Sequence, residues 1–467
     1  MSSVDLQLIS VVFLDRWLKR RDLAKFIFGE LFLIGSTFEE TIVSRPRIIA
    51  VCFTIDPDLG SEPGAAWGVV KTLMKVADVD VLVPSHKYER LHRWQHENGD
   101  DRIHFVEVEP PTSSALVWTY SELPKVAFLS YWLWLRAAKK VGLALERQRE
   151  YAACIHVAYG SYWLPSPVVD FKASSIWGSV GGATRTPMAM WPYLGVKGVV
   201  GELLKFMLVR LLSCLPATRH TWYAADFRLA ETENTRRALP KSLQADTEIV
   251  NRAALQNVPE RPAGVERKPY ILFPSRLQPR KGPRLAIHAL AHADRNVKLV
   301  FVADGMERKA LENLANQLGV SDQIEFRGWV ERHEMFRMVS EAAAVLFTGM
   351  REEGGCALAE AMQVGTPVIV LGVGGAKLLA DTNLDPSRVS IVAPARGGAT
   401  AREMGRKMTH FVNELHPAID GFLDRASVER HLLDVVARAC QKSGRPLSKE
   451  ATHHQPAAAL IESNALN

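Results

Sequence analysis

The sequence predicts two doubly wound α/β domains facing each other across a cleft. Length is the first reason, because 467 residues exceed what one ordinary core fills. The second is recurrence: short β-branched runs return roughly every 25–30 residues with helical stretches between them, on both sides of a segment rich in Pro, Gly and charge. The third is that glycine-rich or basic loops follow several of these runs. Strand, glycine loop, helix, strand is the βαβ unit of a parallel sheet.

Each element follows from its residues. Residues 1–43 form an extension of unclear role. Its Leu6 to Ile34 stretch is rich in Leu, Ile and Phe but interrupted by Asp15, Arg16 and the Lys19 to Asp22 cluster. It reads either as one or two amphipathic helices or as a product of start-codon choice.

The first domain is set at 44–250. Arg47 to Phe53 reads as a buried strand, Asp58 to Gly64 as a glycine loop, Ala65 to Ala77 as a helix and Val79 to Val83 as the next strand. Ile103 to Val108, Ala153 to Ala158 and Ser174 to Trp177 continue the series. Residues 251–268 are assigned as the interdomain linker.

The second domain is set at 269–425. Tyr270 to Phe273 is a strand, Ser275 to Gly282 a basic loop, and Pro283 to His292 a helix. Lys298 to Ala303, Ile324 to Phe326 and Ala343 to Phe347 are further strands, with helices at Met306 to Leu318 and Glu334 to Glu341. Ser427 to Cys440, within 426–442, is a late helix, and the polar 443–467 is expected to be disordered.

Composition narrows the functional classes. Apolar and charged fractions of 47% and 23% are those of a soluble globular protein. Net charge is +6 with pI near 9.0, a mild excess that fits either an ordinary surface or an anionic partner such as a membrane face. Nothing points to nucleic acid.

Five scattered cysteines lack zinc spacing and suggest free thiols in a reducing cytoplasm. The N-terminus lacks a signal-peptide layout. The longest uncharged stretch, Tyr151 to Val169, contains His156, Gly160 and two prolines, so no spanning helix is expected. Lys125 to Arg149 and Leu194 to Leu215 could each lie in a bilayer interface. The alternative for both is a core-facing helix with a solvated basic face.

The chemistry concentrates in Arg351 to Val370. Glu352 and Glu360 are separated by seven residues, with Gly354 and Gly355 between them, ahead of a helix start, a Gly-Thr-Pro turn and a buried strand. The glycines leave backbone amides uncovered where a helix begins, which suits an anion. Carboxylates are poor phosphate ligands and good hydroxyl acceptors. A ligand with phosphate in its middle and hydroxyls at both ends fits, and nucleotide sugars have that shape. A bare glutamate pair at this spacing arises by chance; the embedded glycines and the strand entry single this one out. Arg276 and Lys281 lie in Ser-Arg-Leu-Gln-Pro-Arg-Lys-Gly-Pro, a loop at a strand's carboxyl end, where two cations can grip a diphosphate.

These pieces, with Val302 to Gly305 and Phe326 to Gly328, resemble the donor domain of glycosyltransferase family 4 (glycosyltransferase group 1), over residues 270–375. The resemblance implies the GT-B fold, two Rossmann-like domains facing across a cleft. It implies that Arg276 and Lys281 hold the donor diphosphate, that Glu360 binds the ribose hydroxyls and that Glu352 contacts the transferred sugar. The amides of Gly354, Gly355, Cys356 and Ala357, together with Gly60 and Gly305, would lie beside sugar and phosphate. His156 would touch the transferred sugar, or be a satisfied core histidine. Gly60 to Gly64 with Trp67, and Trp177 to Gly182, are similar to loops of a subset of that family.

The chain departs from the pattern at Glu353 to Cys356, where an aromatic between the glycines is common, and at Lys377, where an acidic residue is common. Both leave the donor sugar open. Arg185 would bind an acidic or phosphorylated acceptor or sit in a structural ion pair. Asp56 with Asp58, and Asp78 with Asp80, mimic a metal-binding signature, but their placement in a glycine loop and at a strand start argues against metal.

The expected function is retaining, metal-independent and cofactor-free sugar transfer from a nucleotide-sugar donor to a hydroxyl, of a polysaccharide precursor or a lipid-linked acceptor. It would take place in the cytoplasm, with peripheral contact to the membrane's inner face. A nucleotide-sugar epimerase and a non-enzymatic nucleotide-sugar-binding subunit are the alternatives. A dinucleotide oxidoreductase fails for want of the G-x-G-x-x-G spacing.

Overall fold

A computed structural model describes residues 45–109, 127–262 and 264–447. The expectations for 1–43 and for the tail from 448 onward lie outside these residues.

The N-terminal half is a parallel sheet of β1 (Arg47–Cys52), β2 (Asp78–Pro84), β3 (Ile103–Val108), β4 (Ala153–Ala158), β5 (Ser174–Val180), β6 (Phe227–Ala230) and β7 (Thr247–Ile249). The order is β3-β2-β1-β4-β5-β6-β7. Its longer helices are α1 (Ser61–Leu73), α2 (Ser85–Asn98), α3 (Ala127–Gln148), α4 (Gly195–Ser213) and α5 (Pro216–Ala224), with short ones at Glu233–Ala238 and Lys241–Gln244.

The C-terminal half holds β8 (Lys268–Phe273), α6 (Pro283–Leu290), β9 (Lys298–Val302), α7 (Arg308–Leu318), β10 (Ile324–Gly328), α8 (Arg332–Glu341) and β11 (Ala342–Phe347). It continues through α9 (Cys356–Gln363), β12 (Val368–Leu371), α10 (Gly374–Asp381), β13 (Val389–Val392), α11 (Ala399–Asn413) and α12 (Arg425–Lys442). Its parallel sheet runs β10-β9-β8-β11-β12-β13.

Both sheets thus reverse strand order beside their first strand, the doubly wound arrangement expected of the GT-B fold. Central strands such as β4 and β11 are buried at every residue because helices cover both faces. Each sheet accordingly has a core on either side.

Several elements differ from expectation. Helix α1 starts at Ser61, inside the expected glycine loop, with Gly60 as its N-cap. Residues 251–268 are not a free linker: Arg252 to Leu255 form a buried helical turn, and β8 already begins at Lys268. Arg252 is the cause, since its charge is matched by carboxylates from the N-terminal half.

Helix α12 belongs to the N-terminal half in space. Its Leu432, Val435, Val436, Ala439 and Cys440 share a core with Ile48, Val70 and Leu73. That spacing is one helical face. Residues 443–447, expected in the tail, follow it onto the same half, where Arg445 donates to the Tyr151 carbonyl at 3.0 Å. The interfacial reading fails for α3, which buries Tyr131, Trp134 and Leu135. It packs inward because its aromatics meet Phe53 from the loop after β1.

Candidate active site

In open α/β sheets a ligand site forms beyond the carboxyl ends of the strands where the order reverses. Both halves place such an end on one cleft of about 840 Å³. The loop after β1 supplies Gly60 and the start of α1, and the loop after β4 supplies Tyr159. The loop after β8 supplies Arg276, Arg280 and Lys281, and the loop after β11 supplies Arg351 to Gly355 and the start of α9.

Helices α1 and α9 open onto this cleft from Gly60 and Gly355, without a side-chain hydrogen bond capping either. Their first amides therefore offer donors to an anion. Gly355 sits at φ 76°, a backbone form that favours glycine.

Lys281 Nζ lies 2.6 Å from Glu352 Oε2. Burial pushes the Glu352 carboxyl up, but the Lys281 ammonium, with Arg280 and the Gly355 amide, more than offsets it and holds the group below its ordinary range. The Lys281 loop is fixed by Thr348, whose hydroxyl donates to the carbonyls of Lys281 and Gly282 at 2.9 Å. Arg276 makes no ion pair among the described residues and faces the Trp329 ring at 5.8 Å.

Glu360, nearly buried, receives Arg332 Nη1 at 3.3 Å. Burial still leaves its carboxyl above the ordinary range, with Arg332 opposing the shift. A methyl group on Gly60 would collide with both Arg332 and Glu360, so this point of α1 touches the opposite wall.

Behind the N-terminal wall, Arg252 bridges Glu231 at 2.6 Å and Glu62 at 2.7 Å, and donates to the Val157 carbonyl at 2.8 Å. Burial pushes the Glu231 carboxyl up to about 7 against the pull of Arg252. Glu62 also accepts the Tyr159 amide at 2.9 Å. Glu353 spans the halves by accepting the Thr184 amide at 2.7 Å. Gly375 donates to the Glu352 carbonyl at 2.9 Å, and a side chain there would strike the Glu353 backbone.

Among the described residues, the non-glycine positions with positive φ are Ser61, Tyr159 and Ala303, and all of them line the cleft. Backbone strain of this kind costs on the order of 1–3 kcal/mol and gathers where function over-determines the geometry.

Of the expected site residues, Arg276, Lys281, Glu352, Gly60, Gly354, Gly355, Cys356, Ala357 and Glu360 all line this one cleft. His156 does not. It is buried in β4, with Nδ1 2.7 Å from Ser166 Oγ and Nε2 3.0 Å from Tyr131 Oη. Burial drives its pKa down to about 4. Tyr159, after the strand, holds the cleft position instead.

Gly305 is also set back. It packs on the Leu277 backbone and supports the Arg276 loop, while Val302 and Ala303 line the wall. Arg185 lies over the Phe206 ring at 4.5 Å and makes no ion pair among the described residues, contrary to the structural-pair expectation. Asp56 and Asp58 pair with Arg90 at 2.6 and 3.0 Å. Asp80 is held by Arg47 and Arg149, and Lys377 pairs with Asp381 on the surface.

Sequence reasoning missed Glu62, Lys205, Glu231, Arg252, Trp329, Arg332 and Glu353. Glu62, inside the Gly60 to Gly64 loop, Trp329, in Gly-Trp-Val directly after β10, and Glu353, inside the glutamate motif, carried a local signal; the others did not.

Residues 257–384 match the family described as Glycosyl transferases group 1, which bears out the resemblance for that segment. Over 193 residues the chain is 31% identical to 2-deoxystreptamine glucosyltransferase of Streptomyces kanamyceticus, covering 38% of this chain and 49% of that protein. Over 121 residues it is 36% identical to D-inositol 3-phosphate glycosyltransferase of Xylanimonas cellulosilytica, covering 25% and 29%. The chain thus spans about half, or less, of the curated relatives it matches. Among solved structures it is similar to sucrose-phosphate synthase from Thermosynechococcus elongatus, with 14% identity, 85% and 100% coverage and a TM-score of 0.48.

Proposed function

We propose that this protein is a retaining glycosyltransferase that moves a sugar from a nucleotide-sugar donor to a hydroxyl of a sugar or lipid-linked acceptor. One observation carries the reading. Arg276, Lys281, Glu352, the amides opening α9 and Glu360 converge on one wall of a cleft at the switch points of both sheets. The relatives named as glycosyltransferases support it from sequence.

The donor diphosphate would take Arg276, Lys281 and the first amides of α9. The ribose hydroxyls would reach Glu360, the transferred sugar would face Glu352, and the base would pack against Trp329. Each cleft glutamate is already engaged: Glu62 and Glu231 by Arg252, Glu352 by Lys281, Glu353 by Thr184 and Glu360 by Arg332. None stands as a free nucleophile, which favours attack from the leaving-group face. The bond between the anomeric carbon and phosphate oxygen breaks as the acceptor oxygen bonds that carbon, and the acceptor proton passes to the departing diphosphate. Leaving-group electrostatics and positioning then supply the rate, without metal or cofactor. The five free cysteines fit work in a reducing cytoplasm.

The test is thermal-shift stabilisation by UDP-, GDP-, ADP- and TDP-sugars, with Glu360→Ala as control, followed by NMR of the product's anomeric configuration. One nucleotide sugar stabilising the wild type only, with retention in the product, supports the reading. Silence across the panel overturns it. Isomerisation of a bound donor without acceptor would make the protein an epimerase.

A further inference from the structure

Helix α4 is inside out for a soluble protein. Val196, Val200, Leu203, Leu204, Met207 and Leu211 recur at three- and four-residue spacing, so they share one face, and that face is exposed. Leu204, Met207 and Leu211 are 61–66% accessible. In the described structure α4 buries Val209 on its other side, so the core-facing alternative for this segment does not hold. Helix α4 has 19 residues, and no described helix is long and apolar enough to cross a membrane.

The charges around the face select its occupant. Lys197 and Arg210 on α4 and Arg219 on α5 are exposed, with no ion pair among the described residues. The one acidic residue of α4 and α5, Glu202, is turned inward against Arg351 at 3.2 Å. The surface is therefore apolar and basic with no exposed acid. A second copy packed on the same face would set these cations against their own images. An anionic lipid surface accepts both the apolar stripe and the cations.

We propose that α4 is an interfacial helix that docks the protein on an anionic lipid bilayer. The inward side of the same helix contributes Lys205 to the cleft. Burial, with Arg351 beside it, lowers the Lys205 amine to about 8. Docking sets the cleft beside the lipid headgroups. Resting on the transferase reading, this makes the acceptor a membrane-held lipid, and Lys205 the cation facing its headgroup side.

The experiment is flotation of the full chain with vesicles of phosphatidylcholine, with and without phosphatidylglycerol. The wild type is expected to float with the anionic vesicles and to be released by salt. Leu204→Glu/Met207→Glu/Leu211→Glu should cut partition by at least roughly tenfold. Lys197→Gln/Arg210→Gln should cut it roughly fivefold per charge. Both variants should keep the wild-type melting temperature and donor-induced shift.

A wild type that stays in the aqueous phase overturns the proposal, as does flotation of the triple variant like wild type. A wild-type dimer that the triple variant converts to monomer, seen by light scattering, would assign the face to a second copy instead. Loss of flotation in the variant with no donor shift in any protein would leave the docking intact and sink the transferase reading alone.

Discussion

Lys281 and Glu352, seventy-one residues apart, form an ion pair at 2.6 Å with both side chains largely buried. Lys281 is thus positioned by the carboxylate proposed to face the transferred sugar, and an anion reaching it shares its charge with Glu352.

Removing the cation has two separable effects. Lys281→Ala leaves Glu352 buried without its partner, which costs roughly 3 kcal/mol of stability. It should also lower turnover roughly 100- to 1,000-fold, because charge builds on the leaving group in the transition state. Lys281→Ala/Glu352→Gln should recover most of the stability and none of the turnover. Denaturant midpoints beside single-turnover rates check this, and full turnover in Lys281→Ala would sink the leaving-group role.

Gly60 tests whether the halves meet at the proposed ribose subsite. A methyl there meets the flexible ends of Arg332 and Glu360, so Gly60→Ala should change stability by less than about 1 kcal/mol. Donor affinity should fall by roughly tenfold as the pair is pushed aside. Calorimetric titration of the donor and its product nucleotide decides it.

Trp329 is 68% exposed, so Trp329→Ala should leave the fold intact. Loss of a stacking surface should weaken nucleotide binding by about 1 kcal/mol or more. An unchanged dissociation constant would remove the base from this ring.

The buried titrating groups predict opposing pH effects. The His156 pKa falls from 6.5 to about 4 on folding, so its contribution to stability is present above pH 6.5 and is lost as pH falls through 4. Glu231 rises from 4.5 to about 7, so its contribution is present below pH 4.5 and is lost as pH rises through 7. The slopes oppose each other in between. Glu231→Gln should expose the histidine slope, with stability rising with pH, and His156→Gln the reverse. Each is worth about 3 kcal/mol at most. Urea unfolding across this pH range measures both.

Part of the C-terminal wall was legible because Glu352, the glycines and Glu360 share one loop and helix start, and Arg276 and Lys281 share another loop, whereas Trp329 and Arg332 reach it from a separate connection. The N-terminal wall was not. Glu62, Tyr159, Glu231 and Arg252 lie on separate connections, and only the fold assembles them. His156 misled because β4 is buried on both faces, so no alternation of polar residues marked which side chain reaches the cleft. The apolar stripe of α12 could be read from its spacing, but nothing local said which half it covers. The Pro- and Gly-rich composition of 251–268 concealed that Arg252 lies in a buried helical turn and is part of the site wall.

The return of α12 bears on synthesis. A ribosome delivers Ile48, Val70 and Leu73 long before Leu432, Val435 and Cys440, which complete the same core. The half made first is therefore finished last, after the entire C-terminal sheet has emerged. Until then the newborn N-terminal sheet carries an uncovered apolar strip, a surface for chaperones to hold while translation continues.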